Sequence, residues 1–297
     1  MTLLRTASGV RPAWKLCGFL ALAMTVLAMS GPVVGLLATV LPISVQSLWS
    51  ATLALLILAV TWLCLRLERR AFRDIGLAPT WRRVAEAGAG FAVGAAVFST
   101  LAVVQAVMVG RSWTLNPDRV LTTVLAGVVG VLILAALEEV LFRGYAFRQL
   151  RSIGGSRLAL VVSSVVFGLW HLVGRPYWGM GAFFVVALPA LGGLVFGYAL
   201  LRSGSLLLPI GLHAGGNWAS TSLFGWHVQS GQGAAAAPPA SVWTAPADQS
   251  TVDFLMSPDL LPHLPYIVAA LLLATFSWRL HRTNALRCVS ATSGQDI

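Results

Sequence analysis

From Val120 to Leu137 the chain carries no charged side chain, and the next two residues are Glu138 and Glu139. An apolar run of about 20 residues is what a helix needs to cross the hydrocarbon core of a bilayer. Inside that core every backbone N–H and C=O must be satisfied within the segment, which leaves a helix or a closed barrel as the available folds. Two carboxylates in such a segment are out of place. An ionised carboxylate at mid-bilayer costs roughly 2.5–3.5 kcal/mol, so it faces a protein interior or a wet cavity, and functional use is the default reading.

Counted the same way, the chain contains eight apolar segments of spanning character: about 16–42, 48–65, 87–109, 121–143, 157–174, 179–201, 204–224 and 260–280. Pro32 and Pro42 are positioned to bend or divide the first. The composition agrees. It is 57% hydrophobic and 10% charged with a mean hydropathy of +0.81, whereas a soluble domain is about one-quarter charged. The expected fold is all-α, a polytopic transmembrane helix bundle of about eight spans.

The basic residues set an orientation. With a cytoplasmic N-terminus and eight spans, 17 of the 20 Lys and Arg fall on the inside and only Arg111, Arg119 and Arg175 outside. This is the bias that the positive-inside rule describes. It places both termini in the cytoplasm of an integral membrane protein, expected in a bacterial plasma membrane. The net charge of +10 sits in short links between apolar runs, so it does not point to nucleic acid. Residues 1–30 have the make-up of a signal peptide, but the apolar stretch continues to about Val45 and reads as an uncleaved anchor. An amphipathic piece around Trp81–Glu86 is expected to lie on anionic lipid. Residues 225–259, rich in Ala, Pro, Ser and Gly and without Lys or Arg, are expected to have little fixed structure. Cys17, Cys64 and Cys288 form neither a disulfide framework nor a zinc cluster. Cys17 and Cys64 read as buried apolar residues.

Of the ten acidic residues, Glu138 and Glu139 alone lie well within a span. Glu68 falls at a span end and the others in links, tails or span ends. The same filter selects two of five histidines, His171 and His213, leaving His227, His263 and His281 at interfaces or in tails. Residues four apart share a helix face. Glu139 can therefore pair with Arg143, His213 points with Asn217, and Phe167 points with His171. Glu138 is turned about 100° from Glu139 and is left for chemistry. All these groups fall at mid-bilayer depth and meet if the fourth, fifth and seventh spans are neighbours. The glycines of Ala187–Leu201 and the pair Gly215–Gly216 read as close helix packing, not as a phosphate loop.

Three motifs then stand in order, each in its own span. Glu138-Glu139-Val-Leu-Phe-Arg143 resembles an EExxxR motif, Phe167-Gly-Leu-Trp-His171 an FxxxH motif, and His213-Ala-Gly-Gly-Asn217 an HxxxN motif. Together they resemble the CPBP family, also called the ABI family. It comprises CAAX prenyl endopeptidases of the Ras-converting type and bacteriocin-processing or immunity-related membrane proteases. The likeness covers about 121–224, with a looser match at Asp74–Pro79. On it the chain divides into N-terminal spans with a basic link (1–120), a protease-like core (121–224), an outside loop (225–259), and a last span with a cytoplasmic tail (260–297).

The resemblance implies intramembrane proteolysis of a membrane-associated protein or peptide, prenylated or not. Carried over by position, Glu138 and His171 would bind and activate water. His213 and Asn217 would donate to the oxyanion, and Glu139, Arg143 and Phe167 would support them. A carboxylate base and fixed neutral donors suit that chemistry. No cofactor is required on this reading. Two histidines and a glutamate could instead ligate a catalytic zinc, but HExxH is absent and Asn is an unusual zinc ligand. Two other classes stand beside the protease: a non-proteolytic immunity or scaffold protein, and a proton-coupled transporter, for which no inverted repeat is evident.

Overall fold

The computed structural model describes residues 5–6, 9–42, 45–110, 113–115, 120–173, 179–224, 242–244, 264, 267, 268 and 272. The architecture is all-α, as expected. The helices are α1 Pro12–Ala38, α2 Val45–Leu67, α3 Trp81–Val109, α4 Val120–Glu139, α5 Ala146–Trp170, α6 Gly179–Ser203 and α7 Leu207–Trp218. A π-helical turn, Val140–Tyr145, joins α4 to α5, and another, Ala219–Leu223, extends α7. Two-residue strands pair antiparallel, β1 Arg5–Thr6 with β2 Gly9–Val10, and β3 Thr114–Leu115 with β4 Trp243–Thr244.

Four helices among the described residues are long and apolar enough to cross a membrane: Pro12–Ala38, Ser47–Leu67, Trp81–Met108 and Ala182–Ser203. Their outward faces expose Leu36, Leu55, Val107 and Phe183, an apolar surface that suits lipid and not water. The other expected spans take different forms. The 121–143 segment is α4 running into its π turn. The 157–174 segment is the latter part of α5, which breaks at Gly154 and Gly155 (φ 77°). The 204–224 segment is a 12-residue helix with a five-residue π turn, which together only reach the lower edge of the roughly 17–25 residues of a span. The 260–280 segment lies outside the described residues except at Leu264, Ile267, Val268 and Leu272.

Three local expectations change. Helix α1 runs through Pro32 undivided. Trp81–Glu86 is not a separate surface piece but the first turns of α3, started by Thr80, whose hydroxyl accepts from Arg83 N–H. Such a cap satisfies one orphan donor of the helix start. In the 225–259 loop, β4 pairs with β3, and the buried Val242 donates its N–H to Ser222 O at 2.9 Å. Cys64 is buried as expected, but Cys17 is exposed.

Helix α3 packs most extensively on α7, α5 on α6, α1 on α2, and α4 on both α7 and α2. The α3–α7 contact is backbone against backbone. A Cβ on Gly94 would strike Leu212 O, and one on Gly215 would strike Phe91 O. Small residues of this kind let membrane helices approach closely. The Asp74–Pro79 stretch fixes the start of α7. The Asp74 carboxylate accepts from Ala71 N–H at 2.8 Å, Gly76 takes a left-handed conformation (φ 84°), and its carbonyl accepts from Leu206 N–H at 3.0 Å.

At the basic end of the bundle, Glu68 follows α2 and ties three elements together. It accepts from Tyr145 Oη at 2.6 Å, Arg148 Nη1 at 2.8 Å and Gln149 Nε2 at 2.9 Å. Lys15 Nζ lies 3.3 Å away and Arg70 Nε 3.8 Å. Partial burial opposes ionisation, but the hydrogen bonds from Arg148 and Tyr145 and the charges of Lys15 and Arg148 outweigh it and hold the carboxyl at about 2.

Candidate active site

Glu138 and Glu139 close α4, and their carboxyls enter different surroundings. Glu139 is wholly buried. Its Oε1 accepts from Arg143 Nη1 at 3.0 Å and lies 3.0 Å from His213 Nδ1. An ionised carboxylate can only accept, so Nδ1 carries the hydrogen and donates. The other ring nitrogen, Nε2, stands 3.4 Å from Glu138 Oε2. His213 thus bridges the two carboxylates, one through each nitrogen. Glu138 keeps a small exposure and accepts a hydrogen bond from the Trp170 indole.

Aromatic rings fix the imidazole. Phe196 stacks on it with centroids 4.7 Å apart and planes at 16°. Phe167 meets it edge-on at 5.6 Å. The same Phe167 ring lies 4.1 Å beneath the Arg143 guanidinium and 4.9 Å, edge-on, from His171. An aromatic face in a dry site attracts a cation. That matters here, because Arg143 Nε and Nη2 and Glu139 Oε2 are buried without a hydrogen-bond partner among the described residues. Room for the guanidinium comes from Gly193 of α6, where a Cβ would stand 2.6 Å from Arg143 Nη2.

His171 sits at the end of α5, where its Nδ1 donates to the Phe167 carbonyl at 2.8 Å. A carbonyl cannot donate, so in the neutral ring Nε2 is the acceptor nitrogen. Asn217 lies one turn beyond His213, half-buried, and its backbone carbonyl accepts from Ser220 and Thr221 hydroxyls. The structure therefore gathers Glu138, Glu139, Arg143, Phe167 and His213 into one cluster. His171 joins it through Phe167, and Asn217 through α7. Sequence reasoning missed Trp170 and Phe196. Trp170 stands beside a selected residue, but an apolar aromatic in an apolar span gives no signal of its own.

Zinc would require Glu138, His171 and His213 to converge. Among the described residues no three His, Cys, Asp or Glu side chains are placed to hold one ion. His213 has both nitrogens directed at glutamates, and His171 directs Nδ1 at a backbone carbonyl. This donor arrangement does not fit a three-ligand zinc site.

Lipid-facing helices around a buried carboxylate–imidazole cluster define an integral membrane protein with a polar intramembrane site. Residues 119–219 match the family of Type II CAAX prenyl endopeptidase Rce1-like proteins, so the likeness carried by the three motifs holds over that stretch. The matched residues run from the start of α4 to the end of α7 and contain every member of the cluster. No curated protein and no solved structure matches the chain.

Proposed function

We propose that this protein is an intramembrane endopeptidase that hydrolyses a peptide bond of a membrane-associated protein or peptide. The family of proteases matched by residues 119–219 supports this class. The observation that carries the chemistry is the division of labour between adjacent carboxylates. Glu139 is held by Arg143 and His213, while Glu138 retains an accessible edge beside His213. Glu138 takes a proton from water, and the hydroxide attacks the scissile carbonyl. His171, whose Nε2 is the acceptor nitrogen of the neutral ring, positions that water. The oxyanion is met by Asn217 and by His213, which donates from Nε2 when its ring carries both protons. Glu138 then passes its proton to the leaving amine as the C–N bond breaks. Glu139 and Arg143 keep the imidazole oriented, and Phe167 and Phe196 keep its plane.

On this reading the chain crosses a bacterial plasma membrane eight times with both termini in the cytoplasm, supported by the distribution of Lys and Arg. A prenylated CAAX-type peptide is one candidate substrate. The test is cleavage of quenched prenyl-peptides and apolar membrane peptides by purified protein, with and without a strong chelator. Glu138→Gln should lower the rate by about 10²–10⁴, the range for loss of a general base, with unchanged thermal unfolding. Equal cleavage by wild type and Glu138→Gln would remove Glu138 from the mechanism. Loss of activity in chelator would restore zinc. Cleavage of no peptide by folded wild type would favour the scaffold reading.

A further inference from the structure

A cavity of about 300 Å³ opens between α1, α2 and α5 on the side of the bundle. Its walls are apolar from Leu16 to Leu27 on α1, from Leu53 to Ile57 on α2, and from Val162 to Val173 on α5. Along α1 that is roughly 17 Å at helical rise, comparable with the length of a fatty-acyl chain. Several lining residues, among them Leu20, Met24 and Val166, have large exposed surfaces, so the groove is open along its length to the lipid side.

Its lower end meets the Glu68 network. Leu16 follows Lys15, Ala146 follows Tyr145, and Leu150 lies two residues beyond Arg148. There Lys15, Arg70 and Arg148 surround one carboxylate, leaving two positive charges uncompensated. All three cations keep part of their surface exposed, at 29, 46 and 23%. Tyr145 and Gln149 also spend their donors on Glu68, which leaves the surplus charge on the cations. A charged mouth on an apolar groove matches an amphiphile with an anionic head and a long chain. A neutral or zwitterionic lipid would leave the surplus charge unmet, and a free anion would leave the groove unmet.

We propose that this groove seats one anionic phospholipid, its phosphate on the Lys15–Arg70–Arg148 cluster and one acyl chain along α1 and α5. The site is separate from the residues assigned to hydrolysis. It reaches their neighbourhood at Trp170, which both lines the groove and donates to Glu138. An occupied groove would hold that indole in place, so the lipid would act on the active site through a positioning residue.

The test is native mass spectrometry of the full chain released from neutral detergent with phosphatidylglycerol and phosphatidylcholine of matched chains, and with inorganic phosphate alone. Wild type should retain one phosphatidylglycerol in preference to phosphatidylcholine by about 30-fold, the factor for two basic residues near a membrane surface. Arg148→Gln could unfold the chain by stranding Glu68. The triple variant Lys15→Gln, Glu68→Gln, Arg148→Gln removes the charges together and should bring the ratio near one at wild-type thermal stability. Val166→Phe should lower retention of both lipids without changing their ratio. Equal retention of the two lipids by wild type, or a preference unchanged in the triple variant, would overturn the proposal. So would inorganic phosphate displacing the lipid in both wild type and Val166→Phe, which marks an anion site that needs no chain.

Discussion

Glu139 and Glu68 are both carboxylates held by arginine, yet their settings are opposite. Glu139 has no exposed surface, one guanidinium and one imidazole. Glu68 retains solvent contact and draws on three cations, a phenol and an amide. In the dry site each partner is irreplaceable, because a buried charge without its counter-charge is costly. At the bundle's basic end the partners are redundant and water stands in for any one of them. Depth, not the number of partners, decides how much a single side chain matters.

Removing one partner from each site tests that contrast most severely. Arg143→Ala leaves Glu139 buried and unpaired, and should destabilise the fold by about 3–5 kcal/mol, seen as loss of folded protein after detergent extraction and heating. A variant that remained as stable as wild type would show that the deep pair is dispensable. Gly215→Ala comes next. It presses α7 off α3 and should cost about 1–3 kcal/mol, the usual range for overpacking. Because it moves His213 and leaves Glu68 untouched, it should lower peptide cleavage while the acid dependence of unfolding stays as in wild type.

Glu68→Gln should cost roughly 1 kcal/mol, the range for a partly exposed ion pair after screening. Its pH dependence has a definite sign. The folded carboxyl is held at about 2, below the usual carboxylate range. The stabilisation is therefore complete above about pH 5 and is lost as pH falls towards 2. Unfolding temperatures of wild type and Glu68→Gln should converge over that window. Smallest of all, Arg70→Gln removes the longest of the three cation contacts, at 3.8 Å, and should shift stability by less than about 0.5 kcal/mol. A larger loss in thermal unfolding would mean that the basic end is not redundant.

The deep site was legible in the sequence because charge and depth disagree there. Glu138, Glu139 and His213 stand out in apolar spans, and Arg143 follows Glu139 at helical spacing. The packing reading of Gly215 also holds, since α7 lies against Phe91 O at that point. Glu68 was legible only as a span-end acid. Its hydrogen-bonding partners Tyr145, Arg148 and Gln149 lie 77 to 81 residues away, and no local period reports a contact of that range. Phe196 stacks on His213 from another helix, and an aromatic residue in an apolar helix looks the same whether it faces lipid or an imidazole. The π turns were equally hidden, because they depend on how neighbouring helices lock the chain and not on a residue preference.

Val140–Tyr145 has one more consequence. The deep cluster holds the chain at Glu139 and Arg143, and the interfacial network takes hold at Tyr145, Arg148 and Gln149. Between them Ile75 packs against Gly144, whose backbone is non-helical at φ −79°, ψ −115°. A π turn is an α-helix carrying a surplus residue. Deleting one residue there would restore regular α pitch, but it would swing everything downstream by about 100° and draw it back by about 1.5 Å. Both anchor points could not then be kept. This stretch can drift by substitution, at Leu141 for instance, but its length is locked, and a deletion or insertion of a single residue would unseat one cluster or the other.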